Sequence, residues 1–267
     1  MSVQTGRFNT PLLTLLDPGR WLVLGLICGA IAVTLWGFLL GSGRVSLSSA
    51  SLIAVGILAV PASLKWRDDV RKLGVTATVL SVLLILQGFH TVEHFTQVVQ
   101  YYLLDWPASR SLGLITAANA EWIHFSWNWL VTLGIVFLVA RGLRNVFAYA
   151  LIGWAVLHSV EHTYLLIRYF QVLSELNALG LSPTGATQSL PGVLGRDGVL
   201  ALQSWCGRIP GLTSAPRVAV HFWWNAGEII LLVLAAHRGF PALLKTNPLK
   251  TNPLKTNLLK TKSPKEF

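Results

Sequence analysis

Six long apolar stretches, separated by short polar segments, dominate the hydrophobic pattern of the chain. Most of them reach the length of about 20 residues that a helix needs to cross the hydrocarbon core of a bilayer. They lie at 20–41, 47–64, 73–101, 113–140, 146–170 and 216–237. The pattern predicts an all-α polytopic membrane protein, folded as a six-helix transmembrane bundle.

The composition supports a membrane setting. Hydrophobic residues make up 53% of the 267 residues and charged residues only 12%. A soluble domain of this size would lack the polar residues needed to cover its surface. The formal net charge of +10 does not point to nucleic acid, because the lysines and arginines are concentrated on one side of the six-span topology and in the C-terminal tail.

The distribution of basic residues predicts the orientation. Most of the Lys and Arg residues lie on the side that carries both ends of the chain, and the positive-inside rule makes that side cytoplasmic. We therefore expect a multi-pass protein of the plasma membrane with segments 1–19 and 241–267 in the cytoplasm. The latter is rich in Lys, Asn and Pro, which predicts a disordered tail that lies along anionic membrane lipids.

A histidine pattern occurs twice within the apolar stretches. His90 opens the sequence H-T-V-E-H, and His124 opens H-F-S-W-N. In the second copy His158 opens H-S-V-E-H, and His221 opens H-F-W-W-N. An ionisable side chain at the centre of an inserted helix costs about 2.5–3.5 kcal/mol. Six of the seven histidines in such places indicate a function, and the simplest is metal binding.

The two copies predict an internal repeat in the bundle. Residues 73–140 would form the first repeat, and residues 146–237, with an outer loop at 171–215, the second. The remaining pair of spans, at 20–64, has no comparable polar residues and is expected to be an accessory pair. Helix lengths place all six histidines near the midplane or in the outer half of the bilayer, so one shared site is geometrically reasonable.

The expected ligands share helix faces. Residues at i, i+3 and i+4 of a helix lie on one side, so each H-x-x-E-H segment presents two imidazoles and a carboxylate together. Six imidazoles exceed the needs of one ion and suit two. The expected metal ligands are His90, His94, His124, His158, His162 and His221, with Glu93 and Glu161 as further ligands or as catalytic proton acceptors.

The donor set constrains the metal. A mixture of histidine and carboxylate favours non-haem iron, whereas histidine alone suits copper equally well, and zinc is a further option. Haem is less expected, because two histidines one turn apart on a helix cannot bind opposite faces of one haem. Four more residues are expected to orient the ligands without binding the metal, in part by accepting hydrogen bonds from imidazole N–H groups. They are Asn128, Asn225, Glu121 and Glu228.

The long outer loop suggests the substrate. Its mixture of glycine, proline and aliphatic residues predicts a cover over the site, and a covered site within a membrane implies a lipophilic substrate. We expect a metal-dependent oxidoreductase of the oxygenase, hydroxylase or desaturase type, whose electrons come from a separate protein or a quinone. A zinc hydrolase using H-x-x-E-H, a haem b electron-transfer protein and a metal or proton transporter remain alternatives.

Overall fold

The structure is a computed structural model that describes residues 11–115, 120–181, 190–202 and 209–245. These residues are helical wherever their secondary structure is regular, and they contain no strands. A short helix, α1, spans Pro11–Leu16, and 3-10 turns occupy Gly19–Trp21 and Val199–Leu202. The long helices are α2 (Leu22–Gly41), α3 (Leu47–Leu73), α4 (Val75–Tyr102), α5 (Glu121–Ala140), α6 (Val146–Ala178) and α7 (Arg217–Lys245).

Six helical segments are long and apolar enough to cross a membrane, which is compatible with the predicted multi-pass protein. The expected C-terminal tail and much of the outer loop lie outside the described residues. The loops after α4 and after α6 lie at the same end of the bundle, because Glu121 at the start of α5 pairs with Arg217 at the start of α7. We call this end the loop end.

The second span is longer than predicted. Its helix, α3, includes Pro61 and continues past residue 64 to Leu73. The charged groups in the added turns are paired. Lys65 pairs with Asp69 one turn later, and Arg20, which precedes α2, binds both oxygens of Asp68 at 2.7 Å. The hydropathy pattern ended the span at these charges because it does not show that they are paired.

The fourth span begins later than predicted, and the fifth extends further. Residues 111–115 are not helical, and α5 begins at Glu121 rather than at 113. Gly113 has a φ of +72°, a backbone conformation that glycine adopts without strain. Helix α6, which also ends at the loop end, continues past residue 170 to Ala178. Both changes alter the loops that approach the histidines.

The helices that carry histidines pack together in a four-helix group. Helix α4 packs mainly on α7, and α5 mainly on α6, while α6 and α7 also contact each other. Helix α3 packs on α4, and α2 packs on α3. Away from the loop end, Leu80, Ile135, Leu138, Leu151 and Leu232 are almost completely buried. This apolar core positions the polar stripes of the four helices opposite one another.

Candidate metal centre

The first three histidines converge between α4 and α5. His90 and His94 lie one turn apart on α4, with their Nε2 atoms 3.3 Å apart. His124 on α5 joins them, and the three residues offer nitrogen atoms that all lie within 4.8 Å of one another. Two nitrogens bound at 2.0–2.1 Å to one tetrahedral ion are separated by about 3.3 Å. We call these residues the first triad, and their spacing is suitable for one metal ion.

The second three histidines lie between α6 and α7, and their ligand atoms, unlike those of the first triad, do not all lie within 4.8 Å of one another. The ring centroids of His158 and His162 are 4.9 Å apart, and those of His162 and His221 are 5.0 Å apart. We call His158, His162 and His221 the second triad. It touches the first, because the His124 and His162 rings stack at 5.0 Å and the His94 and His221 rings lie 5.7 Å apart. The six imidazoles therefore form one continuous histidine cluster.

Several nitrogens of the cluster have no hydrogen-bond partner within the described part of the chain. They are His124 Nδ1, His158 Nε2, His162 Nδ1, His162 Nε2 and His221 Nε2. All four residues are buried, with exposed fractions of 6% or less. A buried polar group without a partner costs about 1–3 kcal/mol. Imidazole nitrogens left in this way are available to bind a metal, and zinc, copper, iron and nickel all accept such donors.

Two ring nitrogens are fixed by side chains that approach them from neighbouring positions. His94 Nδ1 lies 2.9 Å from Gln97 Oε1, and His158 Nδ1 lies 3.1 Å from Glu228 Oε1. Each oxygen accepts a hydrogen bond from the ring Nδ1–H group, which leaves the Nε2 lone pair for the cluster. Metal-binding histidines are usually held in this way.

Glu93 and Glu161 are directed to the loop end. Glu93 accepts backbone N–H groups from Leu114 and Ile115 at 2.9 and 2.8 Å. Glu161 accepts them from Val193 and Leu194 at 2.9 and 3.4 Å. Both carboxylates are buried, and neither belongs to the group of ligand atoms around the first triad. In each case the carboxylate anchors a loop to the helix that carries two histidines.

The donors of each loop follow a glycine, which sequence analysis overlooked. A Cβ atom on Gly113 would overlap the Glu93 carboxylate, and one on Gly192 would overlap the Glu161 carboxylate. The available signal was G-L-I at 113–115 and G-V-L at 192–194, an apolar tripeptide after glycine that lies downstream of each H-x-x-E-H segment. Glycine permits the close approach of backbone to carboxylate.

Replacing Glu93 with glutamine is expected to leave the metal content unchanged and to lower thermal stability. The amide retains one acceptor oxygen, but its NH₂ group opposes a backbone N–H, which would cost about 1–3 kcal/mol. Elemental analysis and thermal unfolding of the purified protein in detergent would test this. Loss of metal would instead make Glu93 a ligand, and loss of turnover with full metal content would make it a base.

The two asparagines contact the histidines in a different way from that predicted. Asn128 Nδ2 donates to the backbone carbonyl of His124 at 2.9 Å, and Asn225 Nδ2 donates to that of His221, also at 2.9 Å. The predicted partner was an imidazole N–H group. The amide instead reaches back one turn along its own helix, because the carbonyl at i−4 is its nearest acceptor.

The other two supporting residues have distinct partners. Glu228, completely buried on α7, contacts His158 and accepts a hydrogen bond from Gln87 Nε2 at 2.6 Å. Glu121 forms an ion pair with Arg217, which also donates to the carbonyl of Leu190 at 3.1 Å. Glu121 therefore links α5 to the start of α7 rather than facing solvent. Gln87 was not singled out in the sequence because an isolated glutamine has no recognisable pattern.

Tryptophans line the cluster on two sides. The ring of Trp127 lies 5.5 Å from His90, and the ring of Trp224 stacks on His158 at 5.3 Å. Beyond Trp224 is a partly open cavity of about 440 Å³, lined by Trp154, Trp223, Leu194, Leu212 and Val220 among others. Its lining within the described residues contains no charged side chain. A neutral, apolar molecule in this cavity would be separated from the histidine cluster by the indole ring of Trp224.

Comparison with known proteins found no matching protein-family profile, curated protein or solved structure.

Proposed function

We propose that the chain is an integral-membrane oxidoreductase whose histidine cluster binds two metal ions. The observation that carries this proposal is the set of five nitrogens that have no hydrogen-bond partner among the described residues, inside a cluster of six neighbouring imidazoles. Such a cluster is costly to bury without a ligand. Six nitrogen donors supply three for each of two ions, which leaves open coordination positions of the kind that catalytic metals use.

Equivalent contacts in the two copies support an internal duplication. His124 and His221 are each approached by an asparagine four residues later, at the same distance of 2.9 Å. Glu93 and Glu161 each bind two backbone N–H groups after a glycine. Duplication of one ancestral pair of helices that held a single ion accounts for both the sequence pattern and these contacts.

Iron or copper is the metal we favour. The proposed reaction needs a redox-active ion, which excludes zinc as the working metal. Because both H-x-x-E-H glutamates contact loops, the donors nearest each ion are imidazoles, and these suit copper as well as iron. The same positions of Glu93 and Glu161 weaken the hydrolase alternative, in which one glutamate would have to face a zinc-bound water.

The contacts between neighbouring rings argue against haem. Centroid separations of 4.7–6.0 Å connect all six imidazoles. A porphyrin placed between two axial histidines would need a flat space far wider than these separations. The cluster is also buried, with five of its histidines at 6% exposure or less, which favours a closed site over a transport path.

The substrate we propose is a neutral lipophilic molecule in the apolar cavity beside Trp224. A volume of about 440 Å³ lies in the range of small-molecule sites. Hydroxylation of a C–H bond would insert one atom of O₂ and reduce the other to water. That reaction consumes two electrons and two protons, which a quinol or a separate reductase would supply.

The proposal also assigns the membrane and the orientation of the protein in it. The paired basic residues Arg20 and Lys65 lie at the end opposite the loop end, and we assign that end to the cytoplasm of a plasma-membrane protein. The histidine cluster would then lie in the outer half of the bilayer. Both chain termini would face the cytoplasm.

Elemental analysis with an optical spectrum would test the proposed metals. Protein purified in detergent without chelator is expected to contain about two iron or two copper ions per chain and to show no Soret band. One zinc ion per chain would support hydrolysis instead, and a Soret band would identify a cytochrome. Protein without any metal would contradict the proposal and leave the cluster as a proton-handling or structural network.

A further inference from the structure

A polar network connects the two triads at the buried centre of the bundle. Gln87 Nε2 donates to Glu228 Oε2 at 2.6 Å and lies 3.1 Å from Asn225 Oδ1. Gln87 Oε1 accepts the indole N–H of Trp127 at 3.2 Å. Glu228 Oε1 in turn lies 3.1 Å from His158 Nδ1. The network therefore extends from the tryptophan beside His90 to a ligand of the second triad.

Among the residues that the structure describes, the other copy has no equivalent network. When the two histidine patterns are superposed in sequence, Ala155 occupies the position of Gln87, and Val131 occupies that of Glu228. Both residues are buried and apolar. As a result, Asn128 Oδ1 and Trp224 Nε1 have no partner in the described residues, although the corresponding atoms of Asn225 and Trp127 are satisfied. The structure is asymmetric where the sequence pattern is symmetric.

The asymmetry gives the triads different support. In the second triad a buried carboxylate fixes His158, so that its Nε2 atom faces the cluster without a partner. In the first triad the comparable contact to His94 comes from the neutral amide of Gln97. His90, moreover, is only half-buried, whereas all three members of the second triad are buried.

We propose that the two metal positions are inequivalent, and that Glu228 is a positioning residue for the second triad alone. This inference rests on the proposed function, since it requires that both triads bind metal. A carboxylate on the far nitrogen fixes the orientation of the ring and makes its other nitrogen a better ligand.

Glu228→Gln is the sharpest substitution for a test. Its amide cannot supply acceptors to both Gln87 Nε2 and His158 Nδ1, so one of the two hydrogen bonds is lost. Loss of such a supporting partner usually weakens metal binding by about 10–100-fold. The effect must appear at the second triad alone, because among the described residues Glu228 contacts Gln87 and His158 and no member of the first triad.

The experiment uses the full chain in detergent, stripped with a chelator and titrated with Co²⁺. His90→Ala leaves only the second triad complete, and His158→Ala leaves only the first. In the His90→Ala background, Glu228→Gln should raise the Co²⁺ dissociation constant about 10–100-fold. In the His158→Ala background, it should change that constant by less than about twofold. The visible Co²⁺ absorption reports whether the coordination geometry of the remaining ion changes.

Gln97→Leu is the reciprocal variant. It removes the partner of His94 and should weaken Co²⁺ binding only in the His158→Ala background. If Glu228→Gln does not yield folded protein, Gln87→Leu replaces it, since this change removes the contact that holds Glu228 and retains the carboxylate. Equal effects in both backgrounds, or no effect in either, would overturn the inequivalence. Wild-type protein that binds no Co²⁺ would overturn the proposed function itself.

Discussion

His94→Ala and His162→Ala are each expected to remove at least one of the two proposed metal ions. Both imidazoles are fully buried and lie at the centre of the histidine cluster. The His94 ring approaches those of His90, His124 and His221, and the His162 ring approaches those of His124, His158 and His221. Alanine offers no donor atom and leaves an ion with two ligands from its triad. Elemental analysis of protein purified side by side would measure the loss.

His237→Ala is the control for this experiment. It removes the one histidine outside the cluster, which is exposed near the far end of α7. Its metal content should equal that of the wild type. Equal metal content in all three variants would contradict the site, whereas loss in all three would indicate general unfolding.

Gly113→Ala and Gly192→Ala are expected to destabilise the protein strongly. The added methyl group would overlap the carboxylate of Glu93 or Glu161 and push the loop from it. Each carboxylate would lose two backbone hydrogen bonds, and hydrogen bonds to charged groups contribute about 1.5–3 kcal/mol each. Gly113 carries the additional strain of a side chain at a φ of +72°. The midpoint of thermal unfolding in detergent would measure the effect.

Two glycines in the same helices as the histidines provide matched controls. Gly88 lies on α4 and Gly153 on α6, and a Cβ atom at either position meets nothing within 4 Å. Alanine there should leave the unfolding midpoint unchanged or raise it slightly, because alanine favours helix over glycine by about 1 kcal/mol. Similar midpoints for all four variants would show that the loops are not anchored by the glutamates.

The sequence predicted the six long apolar helices. An apolar stretch long enough to span a membrane forms a helix however the helices pack, so hydropathy alone predicted the six helical segments. His90 and His94 were placed on one face by helical spacing, and the structure brings their Nε2 atoms to 3.3 Å.

The contacts made by the glutamates could not be predicted. Helical spacing puts Glu93 near His90 and His94, but it does not show that a loop 20 residues later supplies two N–H groups. Nor does spacing reveal which helices pair. The sequence suggested spans three and four as one unit, whereas α4 packs mainly on α7. Gln87 joins the centre only through this packing, so its role depends on tertiary structure.

The pairing of α4 with α7 has a consequence for biosynthesis. More than a hundred residues separate the end of α4 from the start of α7, and a ribosome adds about 5–20 residues per second. For on the order of ten seconds, His90 and His94 are inserted without the helix that encloses them. If the cluster binds metal as proposed, metal delivery would follow the release of the last span, and quality control in the membrane would have to tolerate a nascent chain with unliganded imidazoles until then.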